Sequence, residues 1–311
     1  MTDPAPELAI ETRHVWKRFR GQPAVRDLSL KVRTGTTFGF IGLNGAGKST
    51  TIRMLMGLLK PSAGEVRLRG VPLPSDRIHA LAGVGYVPDR PNVYPWMRIS
   101  EAISFCRSLR RKWNDQVCED LLNRFELQPR QRVKKLSKGQ AAKLSLLLAV
   151  SHDPDILILD EPMDGLDPLA RDEFLGGVLE AVCGEERTVL LSSHSLLDVQ
   201  RLADEVGLIH EGTLLVQCPL AELVSGTKRI RAVLEDGAPT AAAPPGTVCQ
   251  HLEGREWQLT VRGCSPQTIA DLQSSNRARV VDVLDLNLDE VFKDLIRGQR
   301  ALRTAPQEMP R

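Results

Sequence analysis

Residues 42 to 50 read GLNGAGKST, the spacing G-x-x-x-x-G-K-[ST]. The residue types at those positions suit one task, the holding of phosphate. Gly42, Gly45 and Gly47 let the backbone through Leu43, Asn44 and Ala46 curl tightly, so that its amides turn toward anionic oxygens. Lys48 brings a compact positive charge to β and γ phosphates, Ser49 can ligate Mg2+, and the helix that begins there with Thr50 adds its dipole. A second stretch, ILILDEP at residues 156–162, ends an apolar run in Asp160 and Glu161. Asp160 suits a direct or second-shell partner of the metal on Ser49, and Glu161 suits the orientation and deprotonation of a water. Taken alone, without the glycine-rich loop, the same stretch reads better as a buried strand ending in a solvated acidic turn. A third, KKLSKGQAAK at residues 134–143, places Ser137 three residues before Gln140. On its own that is an ordinary capping box at a helix start.

Such groups act together only if strands and helices bring them to one place. The apolar TFGFIG before the glycine-rich loop predicts a strand, and Lys48 to Leu59 predicts a helix with Ile52, Leu55, Met56 and Leu59 on one face. DILILDEP and RTVLLSSH are short apolar runs followed by helical patterns, as buried parallel strands of an α/β core are. In open α/β sheets ligands bind at the carboxyl ends of the strands, where Asp160, Glu161 and His194 fall. Short alternating segments such as LSLKV predict further strands between Leu8 and Gly42, with a turn at RGQPA. Helical periodicity dominates residues 88–150, clearest in SEAISFCRSLRRKW and DQVCEDLLNRFEL, and predicts a helical insert. From residue 226 the pattern becomes a small α/β appendage: strand-like RIRAVLE and EWQLTVR flank the Pro/Ala-rich loop GAPTAAAPPG, and SPQTIADLQ and NLDEVFKDLIRG predict helices. The expected organisation is a disordered segment 1–7, a main domain 8–225 with a helical subdomain at about 90–150, an accessory domain 226–298 and a disordered tail 299–311.

Composition bounds the class. A chain of 311 residues with 42% hydrophobic and 26% charged residues has the make-up of an ordinary globular protein, and a net charge of +2 gives no reason to expect nucleic acid as the partner. Cys106, Cys118, Cys183, Cys218, Cys249 and Cys264 form no Cys-x-x-Cys pair, which argues against zinc ligation and a disulfide framework. The N-terminus has no secretory pattern, and no apolar run approaches the roughly 18 residues of a membrane span. If the chain works at a membrane, another chain must cross it.

Over residues 8–225 these motifs, in this order, resemble the nucleotide-binding subunit of an ATP-binding cassette (ABC) transporter. The resemblance implies an α/β fold of the P-loop NTPase class: a mixed-sheet core with an antiparallel β subdomain and a helical subdomain, here carrying the C-terminal α/β appendage. It implies ATP and Mg2+ as ligands. The family signature Leu-Ser-Gly-Gly-Gln is matched by Leu136, Ser137, Gly139 and Gln140, with Lys138 in place of the first glycine. In the family these residues bind the γ-phosphate of ATP held by a second subunit, so the capping box and the anion site are one structure. Phe19 falls where an aromatic stacks on adenine, Asp167 of MDGLDP where a loop touches the opposite subunit, and His194 where a histidine contacts γ-phosphate. Asp89, in GYVPDRPNVYP, replaces the usual Gln or Glu that approaches the magnesium and the attacking water. It is shorter than either, from which slow or conditional hydrolysis is expected. The segment from Asp89 to Trp96 would be the coupling surface toward a membrane subunit. The Lys-for-Gly signature, SSHSLLDVQRLAD and the ending LNLDEVFKDLIRG resemble cassettes of ABC-2 type export systems. Expected partners are a separate permease and a second cassette, either a copy or a paralogue, at the cytoplasmic face of the membrane. The alternative is a soluble regulatory or translation-associated ABC ATPase without a permease.

Overall fold

The computed structural model describes residues 7–182, 187–235, 242–276 and 278–304. The chain divides into two compact units, Met1–Gln217 and Cys218–Arg311. In the first, β1 (Leu8–Phe19) and β2 (Gln22–Arg33) form a long antiparallel hairpin, extended by β4 (Ala63–Leu68) and β5 (Val71–Leu73) into a four-stranded sheet of order β2-β1-β4-β5. Arg20 and Gly21, both at positive φ, make the turn, so Gln22 and Pro23 of the expected turn belong to β2 instead. The second sheet is six-stranded, of order β10-β9-β3-β8-β7-β6, built from β3 (Thr37–Ile41), β6 (Val84–Val87), β7 (Ile156–Asp160), β8 (Thr188–Ser193), β9 (Glu205–His210) and β10 (Thr213–Pro219). The pairs β3·β8, β3·β9, β6·β7 and β7·β8 are parallel.

The run ILILD lacks polar alternation because both faces of β7 are buried. Ile156 and Ile158 enter a core shared with Phe38, Phe40, Leu55 and the hairpin residues Leu28 and Leu30. Leu157 and Leu159 enter a second core with Phe125, Leu144, Leu147 and Phe174. That second core is roofed by α3 (Ile99–Ser108), α4 (Asp115–Arg124), α5 (Lys138–Val150) and α6 (Pro168–Val182), while α1 (Lys48–Leu55), α2 (Arg77–Leu81) and α7 (Leu196–Leu202) complete the unit. α1 stops at Leu55, short of the expected Leu59, because Gly57 takes φ 61 and Leu58 donates its N–H back to the Arg53 carbonyl. α3 likewise ends at Ser108, so RRKW lies beyond the helix.

In the second unit, α8 (Leu220–Ser225) precedes β11 (Thr227–Leu234), β12 (Thr247–Glu253), β13 (Glu256–Arg262), α9 (Pro266–Asn276), β14 (Ala278–Asp285) and α10 (Leu288–Thr304), with strand order β12-β13-β11-β14. Ile230, Trp257, Leu259, Val261 and Leu272 form its core. Strands β12 and β14 add to those expected, and α10 runs through Gly298 to Thr304. Residues 1–6 of the N-terminal segment, 305–311 of the tail and 236–241 around the Pro/Ala-rich loop lie outside the described residues. Among the described residues no helix is long and apolar enough to cross a membrane.

Candidate active site

Parallel register decides which residues meet. Ile41 is level with Ser193, and Asp160 is level with Ser192, so the chain leaves β3, β7 and β8 at one end of the sheet. There the loop 42–47 opens α1, with Gly47 as N-cap at φ 113. A Cβ at Gly47 would lie 2.8 Å from the Ala24 carbonyl oxygen, so both conformation and space require glycine. Lys48 is 5% exposed; its ammonium donates to the carbonyls of Gly42 and Leu43 and lies 2.9 Å from Glu161 Oε1. Glu161 sits at φ 48, a left-handed conformation for a non-glycine residue. Ser192 holds it there: the Glu161 N–H donates to Ser192 Oγ at 3.0 Å, and that hydroxyl donates to Asp160 Oδ1 at 3.0 Å. Ser49 Oγ also donates to Asp160 Oδ1, at 3.1 Å. His194 places Nδ1 2.7 Å from Glu161 Oε2.

Lys48, Ser49, Glu161 and His194 border one cavity of about 460 Å³, together with Asn44, Gly45, Gly47, Thr50, Asp89, Asp164 and Lys138, while Asp160 and Ser192 lie buried behind it. Asp89 uses Oδ1 to accept the Arg90 N–H. The capping box is present: Ser137 Oγ accepts the Gln140 N–H and Gln140 Oε1 accepts the Ser137 N–H, each at 3.1 Å. Gly139 is buried in the first turn of α5. Ser137, Gly139 and Gln140 do not line the cavity, whereas Lys138 does. Phe19 lies at the end of β1, 46% exposed, with Lys17 Nζ 5.2 Å from its ring centre, and is not part of the cavity wall. Leu43 is exposed and Ala46 buried beneath the loop. Asp167 stands at the start of α6, where Oδ1 accepts the Ala170 N–H at 3.0 Å.

Residues 25–164 match the family model described as ABC transporter. The chain is 34% identical to the bacitracin transport ATP-binding protein BcrA of Bacillus licheniformis over 73% of this chain and 74% of that protein. It is 36% identical to the Nod factor export ATP-binding protein I of Burkholderia lata over 68% and 71%. The chain belongs to the ABC transporter ATP-binding subunits. Among solved structures, an ATP-binding subunit of an ABC transporter superposes with a TM-score of 0.64 at 27% identity, covering 70% of this chain and 92% of that one. A dimeric bacterial cassette, at 20% identity and a TM-score of 0.61, shares the fold. Beyond the cassette, an uncharacterised ATP-binding protein of Bacillus subtilis, YhaQ, is 29% identical over 90% of this chain and 95% of its own length.

In this ABC ATPase the buried carboxylate has a spare ligand position. Asp160 is 0% exposed and its Oδ2 has no hydrogen-bond partner. Burial pushes the Asp160 carboxyl above its ordinary range, against hydrogen bonds from Ser192 and Ser49 that pull it down, and the Asp89 and Glu161 charges push it further up. A hard divalent cation between Ser49 and Asp160 would supply the missing partner, and an all-oxygen donor set fits Mg2+. Tyr86, beneath the site, has its phenol pushed up to about 12, first by burial and then by Asp160 and Asp89, so it stays protonated. Sequence reasoning did not single out Ser192 or Asp164. A serine ending an apolar strand looks solvated until the register sets it against Asp160, and Asp164 becomes notable only through its neighbours in space.

Proposed function

We propose that this ABC ATPase powers export through a separate membrane permease, working at the cytoplasmic face as one of two cassettes that close head-to-tail on ATP. The observation that carries the reading is the convergence of Lys48, Glu161 and His194 on the cavity bordered by residues 44, 45 and 47–50. Export is supported by the relatives, whose names assign them bacitracin transport and Nod factor export. Residues 8–225 would form the ATPase and 226–298 the accessory domain, with the segment Asp89 to Trp96 on the permease side.

Lys48 and the amides of residues 42–50 hold the phosphates, and Phe19 stacks on adenine in the bound state. Ser49 and Asp160, with Asp89 nearby, hold Mg2+, which supplies neutralisation of phosphate charge when bound. Once phosphate takes Lys48, Glu161 Oε1 is released to orient a water and accept its proton as the water oxygen attacks γ-phosphorus and the bond to the ADP oxygen breaks. His194 orients Glu161 and faces the γ-phosphate. The short Asp89 carboxylate keeps turnover slow. Ser137, Lys138, Gly139 and Gln140 complete the partner's site, and Asp167 lies at that interface.

The test is co-purification of tagged Glu161→Gln protein, which traps the ATP-closed state, from detergent-solubilised membranes of its host. Recovery of a polytopic membrane subunit with ATP, and its loss with Lys48→Ala, is expected. Recovery from the soluble fraction alone, with ribosomes or no partner, overturns the transporter reading in favour of a regulatory ATPase.

A further inference from the structure

Among the described residues four aromatic rings are exposed, and three of them, Tyr94, Trp96 and Phe105, stand together. Tyr94 stacks on Trp96 with ring centres 4.7 Å apart and meets the edge of Phe105 at 6.1 Å. Trp96 is 65% exposed, and so is 68% of Leu109, four residues on from Phe105 at the end of α3. In a chain only 4% aromatic, that concentration of ring surface in water marks an interaction site.

The cluster is bordered by unpaired cations. Residues 95–99 and 131–134 run antiparallel: the Lys134 N–H donates to the Pro95 carbonyl at 3.0 Å, the Val133 N–H donates to the Met97 carbonyl at 2.9 Å, and Arg98 bridges to Arg132. This pairing sets Arg98, Arg130, Arg132, Lys134 and Lys135 on two adjoining segments beside Trp96, and all five are exposed. Arg107 and Arg124 pair with Asp115 and Glu180, whereas these five form no ion pair among the described residues. Residues 94–135 hold ten basic and five acidic residues, a net charge of +5, while the whole chain carries +2, so the remainder is net acidic. Neighbouring cations without counter-charges repel one another, so local stability does not explain them.

We propose that this surface seats directly on the anionic headgroups of a lipid bilayer. Trp and Tyr settle at headgroup level, where one part of the ring is apolar and the other wet. A cluster of about four to eight Lys or Arg is drawn to the negative surface potential of such a membrane. Lysine, depleted at protein interfaces, suits a lipid surface because its long stem lies along apolar ground while the ammonium stays in water. Contact of this kind needs no spanning helix, which the described residues lack. The surface adjoins the segment placed on the permease side, and the inference goes beyond the permease reading and stands without it.

The experiment co-sediments the purified full chain, without permease, with vesicles of equal parts phosphatidylcholine and phosphatidylglycerol and with vesicles of phosphatidylcholine alone. Binding to the first and not to the second is expected, and it should fall as salt shortens the Debye length from about 10 Å at 0.1 M to about 3 Å at 1 M. Lys134→Gln with Lys135→Gln should weaken it about 25-fold, roughly fivefold per cation, with an unchanged melting temperature because both side chains are exposed. Trp96→Phe should still bind but lose most of the quenching of tryptophan emission by brominated acyl chains, which separates seating of the ring from attraction of charge alone. Failure to pellet with anionic vesicles, equal pelleting with both kinds, native affinity in the double lysine variant, or unchanged quenching in Trp96→Phe overturns the proposal. So does preferential capture of a single-stranded RNA oligonucleotide, which would assign the patch to nucleic acid. None of these results bears on the permease, which co-purification of the Glu161→Gln protein tests separately.

Discussion

Ser192→Ala removes one oxygen and disconnects two residues. Ser192 is 0% exposed, and its hydroxyl both donates to the Asp160 carboxylate and accepts the Glu161 N–H, each at 3.0 Å. A hydrogen bond to a charged group contributes about 1.5–3 kcal/mol, and an orphaned buried N–H costs about 1–3 kcal/mol. The two effects share one atom and do not add in full, so we expect a loss of about 2–4 kcal/mol. In a unit of this size each kcal/mol corresponds to roughly 2–4 °C, which gives a fall in melting temperature of about 4–16 °C by scanning fluorimetry. Turnover should suffer separately, because the left-handed backbone at Glu161 loses its anchor. A displacement of about 1 Å at Glu161, the proposed general base, costs on the order of 100-fold in kcat. The Lys48 loop is untouched, so ATP affinity should stay near its native value. Native melting and native kcat in Ser192→Ala would refute the assignment of Ser192 as the clamp on both carboxylates.

Two further outcomes follow from burial. Burial, with Arg110 and Arg187 nearby, pushes the His152 imidazole down from 6.5 to about 4, against a smaller opposing effect of Asp153. Below pH 6.5 the unfolded chain takes up a proton that the folded one refuses, so stability falls as pH drops from 6.5 toward 4, by up to about 2 kcal/mol at pH 5. Chemical denaturation at pH 7 and pH 5 should show this loss in the native chain and a smaller one in His152→Gln; equal losses would show that His152 is not its source. In the second unit, a Cβ at Gly298 of α10 would overlap the Val248 carbonyl oxygen of β12. Gly298→Ala should therefore destabilise α10 on the sheet by about 1–3 kcal/mol despite the better helix propensity of alanine, read as faster amide exchange in α10; slower exchange would contradict the contact.

The phosphate loop, the acidic strand end and the Ser137 cap were legible because each imposes residue types at fixed spacing. Backbone curling needs glycines, metal and water need carboxylates, and a helix start needs a side-chain acceptor. Other features depend on tertiary placement. Ser192 acts through the register of two strands that are distant in sequence. β12 is largely exposed and β14 has an irregular register with β11, so neither carries the clean alternation that marks a strand. Phe19 shows the opposite case: its place in the motif order suggests adenine stacking, while here it is half-exposed at the end of β1 with the Lys17 ammonium over its ring.

The double-faced burial of β7 leaves its alignment underdetermined by apolar side chains. Ile156 and Ile158 could exchange places with Leu157 and Leu159 at modest cost in packing, since all four are large aliphatics of similar volume. A slide by one residue would reverse the faces, and a slide by two would preserve them, so the oily part of the strand discriminates poorly against either. The polar end does discriminate. Only the native alignment brings Asp160 level with Ser192 and within reach of Ser49, and a slip that sets it level with Leu191 buries a carboxylate without those donors. Residues to which we assign nucleotide chemistry are therefore also the pins that set the central sheet, and a variant that neutralises Asp160 would lose fidelity of assembly along with that proposed role.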